Sequence, residues 1–229
     1  MKITAITSHY DGPDVWGLCE KYMARQTRKP DQWLVLDSSR NRTEVREPCE
    51  YVHIPQCPEM PDKIMYAIDK NLIAGDIIAF IETDDWYAPD WLEWIEQQSA
   101  RGFDLVGEGD AIYYNVRRRW WSECKNVRHA SLCQTAMHIR MLEPMVNTIK
   151  AWDNPYFDCR LWRLEASRYL HLPRSGRRRC IGIKGTFEAG YSPEHRQRHP
   201  KDSHADPSLM KLWKLIGPDA KNYAPFYLK

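Results

Sequence analysis

Three carboxylates stand close together in the segment Glu82-Thr83-Asp84-Asp85, directly after an apolar run. That run, Ile77 to Ile81, predicts a buried strand, so the acids are expected at its carboxyl end. Carboxylates that share a partly buried position repel one another and lose hydration, and they are tolerated where a cation or a hydrogen-bond network neutralises them. The pattern favours a metal or ligand site over the alternative, a solvated turn that caps the next helix.

The elements around this segment predict an α/β fold. Strands predicted over Lys2 to Thr7 and Trp33 to Leu36 flank a helix that begins at Asp14, and this order implies a right-handed parallel crossover. A further strand is predicted over 51–54 and a helix over 62–71. After the acids, Pro89-Asp90 opens another helical pattern, rich in tryptophan.

Polar residues also follow the first two strands, at Thr7-Ser8 and Asp37-Ser38. Ligands bind at the carboxyl edge of an open parallel sheet. The three polar strand ends therefore predict a single cleft.

Beyond Gly102 the pattern changes. We predict strands over 103–106, 111–115 and 180–183, and helices over 141–152, 158–171 and 206–216. The stretch from Lys184 to His204 is basic and punctuated by glycine, which is typical of a mobile lid.

Two basic clusters support a second hypothesis, a non-catalytic module that binds nucleic acid. Arg117 to Trp121 joins three arginines to two tryptophans, and Arg174 lies near Arg177-Arg178-Arg179. Such groups can stack on and pair with a polyanion. The alternative is a solvated strand or hairpin whose tryptophans pack inward.

Composition restricts the class of protein. The 229 residues suit one large domain, and 33 basic against 31 acidic residues leave a net charge of +2, too small for a global field that attracts nucleic acid or a membrane. The seven cysteines form no CxxC pair, which favours a reduced, cytoplasmic protein without a zinc site. The start of the chain does not resemble a signal peptide, and no apolar run is long enough to span a bilayer.

Two segments carry a resemblance to a known family. Residues 1–37, including Gln26-Thr27 and the strand that ends in Asp37, are similar to the opening half of family 2-type glycosyltransferases of the GT-A fold. Residues 75–93 resemble the DxD motif of that family, with Glu82 where an Asp is usual. Ser38 stands where the family often has a second Asp.

The later chain resembles a bacterial and phage subgroup of the same family. The matching segments are 129–137, 154–162, 180–185 and 212–223. The resemblance implies a single domain in which residues 1–100 bind the nucleotide sugar and residues 101–229 form the acceptor-binding and lid portion. It also implies transfer of a sugar from a nucleotide-diphosphate donor, expected to be UDP-linked, to an acceptor hydroxyl with inversion. The resemblance does not identify the acceptor, and hydroxylated bases of phage-type DNA are one option.

The resemblance implies a divalent cation, Mn²⁺ or Mg²⁺, at the acidic segment. Asp84 matches the position that binds the cation directly, with Glu82 and Asp85 beside it. Hard oxygen ligands suit these metals, and the cation would stabilise the departing diphosphate. His195 is the expected lid ligand, with His199 and His204 as rivals.

Other positions match the nucleotide site and the base. The nucleotide is expected at Thr7, Ser8, Tyr10 (with His9 as a rival) and Asp37, and the diphosphate at Lys184. Asp158 matches the acid of the family's helix-start motif and would deprotonate the acceptor. Phe157 replaces the acid that usually precedes it, which leaves Asp153 as a rival. The structural alternative for Asp158 is a helix cap.

Overall fold

The computed structural model describes residues 1–109, 111–124, 126, 128–151, 157–164, 169–172, 177–186 and 203–227. Its elements, in chain order, are β1 (Ile3–His9), α1 (Pro13–Ala24), β2 (Gln32–Asp37), β3 (Glu50–His53), α2 (Met60–Asp69), β4 (Ile77–Glu82), β5 (Trp86–Tyr87), α3 (Trp91–Ser99), β6 (Leu105–Glu108), β7 (Ile112–Asn115), β8 (Trp120–Glu123), β9 (Thr135–His138), α4 (Leu142–Ala151), α5 (Asp158–Leu161), β10 (Tyr169–Leu172), β11 (Cys180–Lys184), β12 (Ser203–Ala205), α6 (Met210–Ile216) and α7 (Ala224–Tyr227). Short 3₁₀ helices span Leu132–Gln134, Ile139–Met141 and Gly217–Tyr223.

A mixed sheet forms the centre of the molecule. Within the described ranges it has seven strands in the order β10-β6-β9-β4-β1-β2-β3. The block β4-β1-β2-β3 is parallel throughout, whereas β9 runs antiparallel between β4 and β6. The α/β fold that the alternating pattern predicts is therefore confirmed.

Alternate residues of the parallel strands pack into two separate hydrophobic cores. In β4, Ile77, Ala79 and Ile81 pack with α1 and α3 on one face, and Ile78 and Phe80 pack with α2, α4 and α5 on the other. A strand that is buried on both faces needs apolar residues at every position, which explains the unbroken run before the acids.

A second sheet lies on the face of α1 and α3. Its described strands follow the order β12-β8-β7-β11-β5, and residues of β7 and β11 join the core of that face. Strand β5 comes directly after the acidic turn and pairs with β11 through Cys180↔Tyr87. The second sheet is thereby brought to the end of β4.

One helix prediction was wrong. The segment 158–171 is not one helix, because α5 ends at Leu161 and Tyr169–Leu172 pairs with β6 in parallel. The leucines at 161, 164 and 170 are three and six residues apart and fit a helix, but strand β6 gives the second half of the segment a hydrogen-bonding partner. Strand β9 was not predicted either.

No helix within the described residues has the length and apolar character required to cross a membrane.

Candidate functional site

The three polar strand ends lie together at the carboxyl edge of the parallel strands. Ser8 of β1 is level with Glu82 of β4, and His9 is level with Asp37 of β2. The turn after β4 is anchored to β1, since Oγ1 of Thr83 donates to the carbonyl of Ser8 over 3.4 Å. The three polar strand ends therefore share one edge.

The acidic segment forms a compact cluster of oxygen ligands. One carboxylate oxygen from each of Glu82, Asp84 and Asp85 lies within 4.8 Å of the other two. Asp85 is fully buried and Asp84 is 9% exposed. A hydroxyl of Tyr87 accepts the backbone N–H of Glu82 at 2.9 Å and fixes the end of the strand.

Lys184, at the end of β11, reaches into this cluster. Its Nζ lies 3.1 Å from Oδ2 of Asp84, 3.1 Å from Oδ1 of Asp85 and 3.7 Å from Oε2 of Glu82. The Lys184 side chain is only 6% exposed. A single ammonium thus faces three carboxylates, of which those of Asp84 and Asp85 are shielded from water and that of Glu82 is 32% exposed.

Burial and crowding set the charge state of the cluster. Burial raises the pKa of Glu82, and the neighbouring charges of Asp85 and Asp84 raise it further, against the opposing effect of Lys184. Burial also raises the pKa of Asp85. Burial by itself would lower the pKa of Lys184, but the charges of Asp84, Asp85 and Glu82 outweigh it and raise that pKa well above the ordinary value. The cluster therefore favours a bound cation.

Asp85 also holds the two sheets together. Its Oδ1 accepts the backbone N–H of Ile183 at 2.8 Å. Its Oδ2 is buried, and no N–H or O–H group of the described residues reaches it. The thiols of Cys133 and Cys180 come within 4.8 Å of an Asp85 oxygen and of each other. Oδ1 of Asp85 thus joins the two sheets, and a hydrogen bond from the Cys133 thiol helps to stabilise the carboxylate.

Asp158 is the first residue of α5 and approaches the same cluster. Its charge is close enough to raise the pKa of Glu82. Burial raises the pKa of Asp158 itself, whereas the backbone N–H groups of Cys159 and Leu132 and the charge of His129 lower it in part. The carboxylate also accepts backbone N–H groups in the first turn of α5, from Cys159 and from Asp158 itself, which is the contact that the helix-cap alternative predicts. A buried carboxylate with a raised pKa beside an acidic cluster is suited to accept a proton.

The end of β1 carries the residues expected to hold the nucleotide. Thr7 is fully buried, and its hydroxyl accepts Nε1–H of Trp33 at 2.9 Å. His9 is 1% exposed, and burial lowers its pKa to about 4. Tyr10, by contrast, is 50% exposed. Of the two rivals, Tyr10 is the one whose ring is open to a ligand.

Lys63 was not singled out from the sequence. This lysine of α2 is 1% exposed, and its Nζ donates to Oγ of Ser8 and to the carbonyl of His9, each at 2.8 Å. Burial lowers its pKa to about 8, although the charges of Asp37 and Glu59 oppose the shift. The only signal in the sequence is its place beside Ile64 on the buried face of α2, together with Ala67.

Asp37 is buried and its carboxylate orders the loop after β2. Oδ1 accepts the backbone N–H of Ser39 at 2.8 Å, and Oδ2 accepts the N–H of Thr43 at 3.2 Å and the hydroxyl of Tyr51. Burial would raise the pKa of Asp37, but the hydrogen bonds from Ser39, Tyr51 and Thr43 lower it to about 2. Asp37 is thus an ionised anchor of the loop at this edge of the sheet.

Several candidate residues fall outside the described residues: Asp153, Arg174, His195 and His199. The remaining rival for the lid ligand, His204, lies on β12 and packs against Trp121, with tilted rings whose centroids are 4.6 Å apart. Neither cluster of metal-binding groups found in the described residues includes it.

The basic clusters make contacts within the protein. Trp120 is 2% exposed, and Nζ of Lys211 lies 3.7 Å from the ring centroid of Trp121. Nε of Arg179 lies 3.1 Å from Asp90, and its backbone N–H donates to Glu108. The tryptophans of the first cluster therefore pack as the structural alternative predicts, while Arg117 and Arg118 are exposed.

The sequence matches no known family model and no curated protein. Structural comparison finds similar solved structures at low identity. S. aureus TarS 1-349 has 12% identity and a TM-score of 0.54 over 80% of this chain and 60% of that chain. Its complex with UDP-GlcNAc has 15% identity and a TM-score of 0.54 over 80% and 58%. This chain thus spans about 60% of the length of those TarS structures.

A second similar structure comes from Pyrobaculum calidifontis. The mannosyltransferase PcManGT, in complex with GDP-Man and Mn²⁺, has 14% identity and a TM-score of 0.52 over 75% of this chain and 55% of that chain. Both neighbours are GT-A glycosyltransferases. This protein therefore has the GT-A glycosyltransferase fold that residues 1–37 and 75–93 resemble.

Proposed function

We propose that this protein is a metal-dependent glycosyltransferase that moves a sugar from a nucleotide-diphosphate sugar to an acceptor hydroxyl. The observation that carries the proposal is the cluster of Glu82, Asp84 and Asp85 at the carboxyl edge of the parallel strands. The fold lends support, since TarS was solved with UDP-GlcNAc and PcManGT with GDP-Man and Mn²⁺. Because one fold hosts many activities, the site has to carry the argument.

The ligand set fits a hard divalent cation. All three residues supply carboxylate oxygens, and one oxygen of each lies within 4.8 Å of the other two. We propose that Asp84 binds the cation directly, with Glu82 and Asp85 as further ligands, and that the cation is Mn²⁺ or Mg²⁺. When bound, it would supply Lewis-acid stabilisation of the diphosphate. His195 remains our proposed lid ligand.

Asp158 is proposed as the general base. Its burial, its raised pKa and its proximity to Glu82 support this role. The carboxylate would take the proton from the acceptor hydroxyl as the hydroxyl oxygen attacks the sugar, and the diphosphate would leave from the opposite face. This arrangement gives inversion at the sugar carbon.

The nucleotide is proposed to bind along the end of β1. The exposed ring of Tyr10 can stack on the base, while Thr7, Ser8 and Asp37 shape the floor and the neighbouring loop. A UDP-linked donor is our first candidate. Residues 1–100 would then form the donor half of the domain, and residues 101–229 the acceptor half.

A polyanionic acceptor is one option for the second substrate. Because Trp120 is buried, such an acceptor would have to be held by the exposed Arg117 and Arg118 rather than by stacking on that ring. DNA with hydroxylated bases offers both the charge and the hydroxyl, so it belongs in an acceptor screen.

A panel of nucleotides and nucleotide sugars tests the proposal. Thermal unfolding is measured with UDP-linked and GDP-linked sugars, each with and without Mn²⁺, and then hydrolysis or transfer is measured for any donor that stabilises the protein. We expect one nucleotide to raise the Tm only when Mn²⁺ is present. Lack of stabilisation and of turnover across the panel would overturn the proposed function.

A further inference from the structure

The ammonium of Lys184 occupies the centre of the cluster to which we assign the cation. Its Nζ contacts carboxylate oxygens of Asp84 and Asp85 at 3.1 Å each and of Glu82 at 3.7 Å. The contacts to Asp84 and Asp85 have hydrogen-bond geometry. Lys184 is therefore an internal counter-ion for the residues that a divalent cation would use.

The backbone of Lys184 is fixed at the end of strand β11. Strand β11 pairs with β7 at Lys184↔Asn115, and the carbonyl of Lys184 accepts the N–H of Val116 at 2.9 Å. The next residue, Gly185, has a φ of +81°, and a Cβ there would lie 2.4 Å from Oδ1 of Asn115. The strand end is thus fixed, whereas the four-carbon stem of the lysine can move its ammonium among nearby anions.

A divalent cation in this cluster would face an ammonium only a few ångströms away. Like charges at that distance repel strongly in a site shielded from water. A diphosphate beside the cluster would relieve the repulsion, because it offers the ammonium a second anionic partner. The affinities for cation and diphosphate would then rise together.

We propose that Lys184 couples donor and metal binding: its ammonium neutralises the acidic cluster in the free protein and passes to the donor diphosphate when a divalent cation enters. This inference rests on the proposed function, since it takes the cluster as the cation site. Lys184 makes Mn²⁺ binding weak in the absence of a nucleotide and strong in its presence. Lys184 is a donor-binding residue in this scheme.

The test is a titration with Mn²⁺, followed through the electron paramagnetic resonance signal of free Mn²⁺. The wild type is compared with Lys184→Met and with Lys63→Met. Lys63 is the matched control because it is also a buried lysine at this edge, but it donates to Ser8 and His9 rather than to a carboxylate.

Without nucleotide, we expect Lys184→Met to bind Mn²⁺ more tightly than the wild type by on the order of tenfold or more, because a unit charge within about 4 Å has been removed. Lys63→Met should bind like the wild type. With saturating UDP or GDP, the Mn²⁺ affinity of the wild type should rise by a larger factor than that of Lys184→Met. Mn²⁺ bound by the nucleotide in solution affects both proteins equally.

Equal or weaker Mn²⁺ binding by Lys184→Met without nucleotide would overturn the inference, as would an equal effect of Lys63→Met. If Lys184→Met does not fold, as judged by circular dichroism, Lys184→Gln replaces it, because its amide can still donate to the carboxylates. The Mn²⁺ titration without nucleotide requires no sugar donor. Absence of turnover would therefore count against the proposed function and not against this inference.

Discussion

Oδ1 of Asp85 accepts the backbone N–H of Ile183 at 2.8 Å, and this hydrogen bond joins the acidic turn after β4 to strand β11. The same oxygen lies 3.1 Å from Nζ of Lys184. Asp85 thus fixes the position of Lys184 relative to Asp84. The acidic cluster depends on the contact between the two sheets as well as on the strand that carries it.

Asp85→Ala should destabilise the protein more than Asp84→Ala does. The first change leaves the N–H of Ile183 without its acceptor and removes one partner from a buried ion cluster, at a cost of about 3–5 kcal/mol. Asp84→Ala leaves Asp85 and Glu82 beside Lys184 and should cost less. Urea unfolding of both variants measures the free energies. Equal losses would contradict a structural role for Asp85.

Asp158→Asn should lower kcat by roughly 10²–10⁴-fold, because the amide cannot accept the proton of the acceptor hydroxyl. The KM for the donor should change little. In the wild type, burial raises the pKa of Asp158, so the rate should rise with pH as this carboxyl ionises above the ordinary range of an Asp. Steady-state kinetics of transfer across pH measure both effects.

Asp69→Asn is the matched control for this measurement, since Asp69 is an exposed acid at the end of α2. It should behave like the wild type. If Asp158→Asn retains the wild-type kcat, another residue is the base, and Asp153 would be tested next.

Asp37 should stabilise the protein in a way that is lost in acid. Its hydrogen bonds lower its pKa from 3.8 to about 2 in the folded state. An acid with a lowered folded pKa stabilises the fold above the unfolded pKa, and that contribution disappears as the pH falls from about 4 to about 2. At about 1.4 kcal/mol for each pKa unit, the contribution is about 2 kcal/mol.

Asp37→Asn should therefore be less stable than the wild type near neutral pH. The difference between their free energies of unfolding should decrease by about 2 kcal/mol on acidification to pH ~2. Urea unfolding at a series of pH values measures this gap. Tyr51→Phe removes one donor to Asp37 and should show a smaller effect of the same sign. A gap that is constant with pH would show that Asp37 does not act through its charge.

The first half of the fold was predictable because local pattern and burial agree there. Strand β4 is apolar at each of its positions from Ile77 to Ile81 and is buried on both faces. Strand β9, by contrast, has only four residues and depends on pairing with β4 and β6. Strand β10 was predicted as helix, because its residues acquire a partner only once β6 is in place.

The candidate site was likewise predictable only in part. Glu82, Asp84 and Asp85 are adjacent in sequence, so their cluster could be predicted. The ion pairs of Lys184 could not, because 100 residues separate it from Asp84. Lys63 was missed since a lysine in a helix is usually exposed, and only the position of α2 against β1 shows that this one is buried.

The most direct test of the central claim is the turnover of a nucleotide sugar under two conditions, with added Mn²⁺ and after a chelator has removed the metal. The wild type is compared with Asp84→Asn, and Asp69→Asn is the control. We predict that the wild type and Asp69→Asn require the cation, and that Asp84→Asn loses on the order of 100-fold or more in kcat. Full activity in the chelator, or in Asp84→Asn, would contradict a metal-dependent transferase built on this acidic cluster.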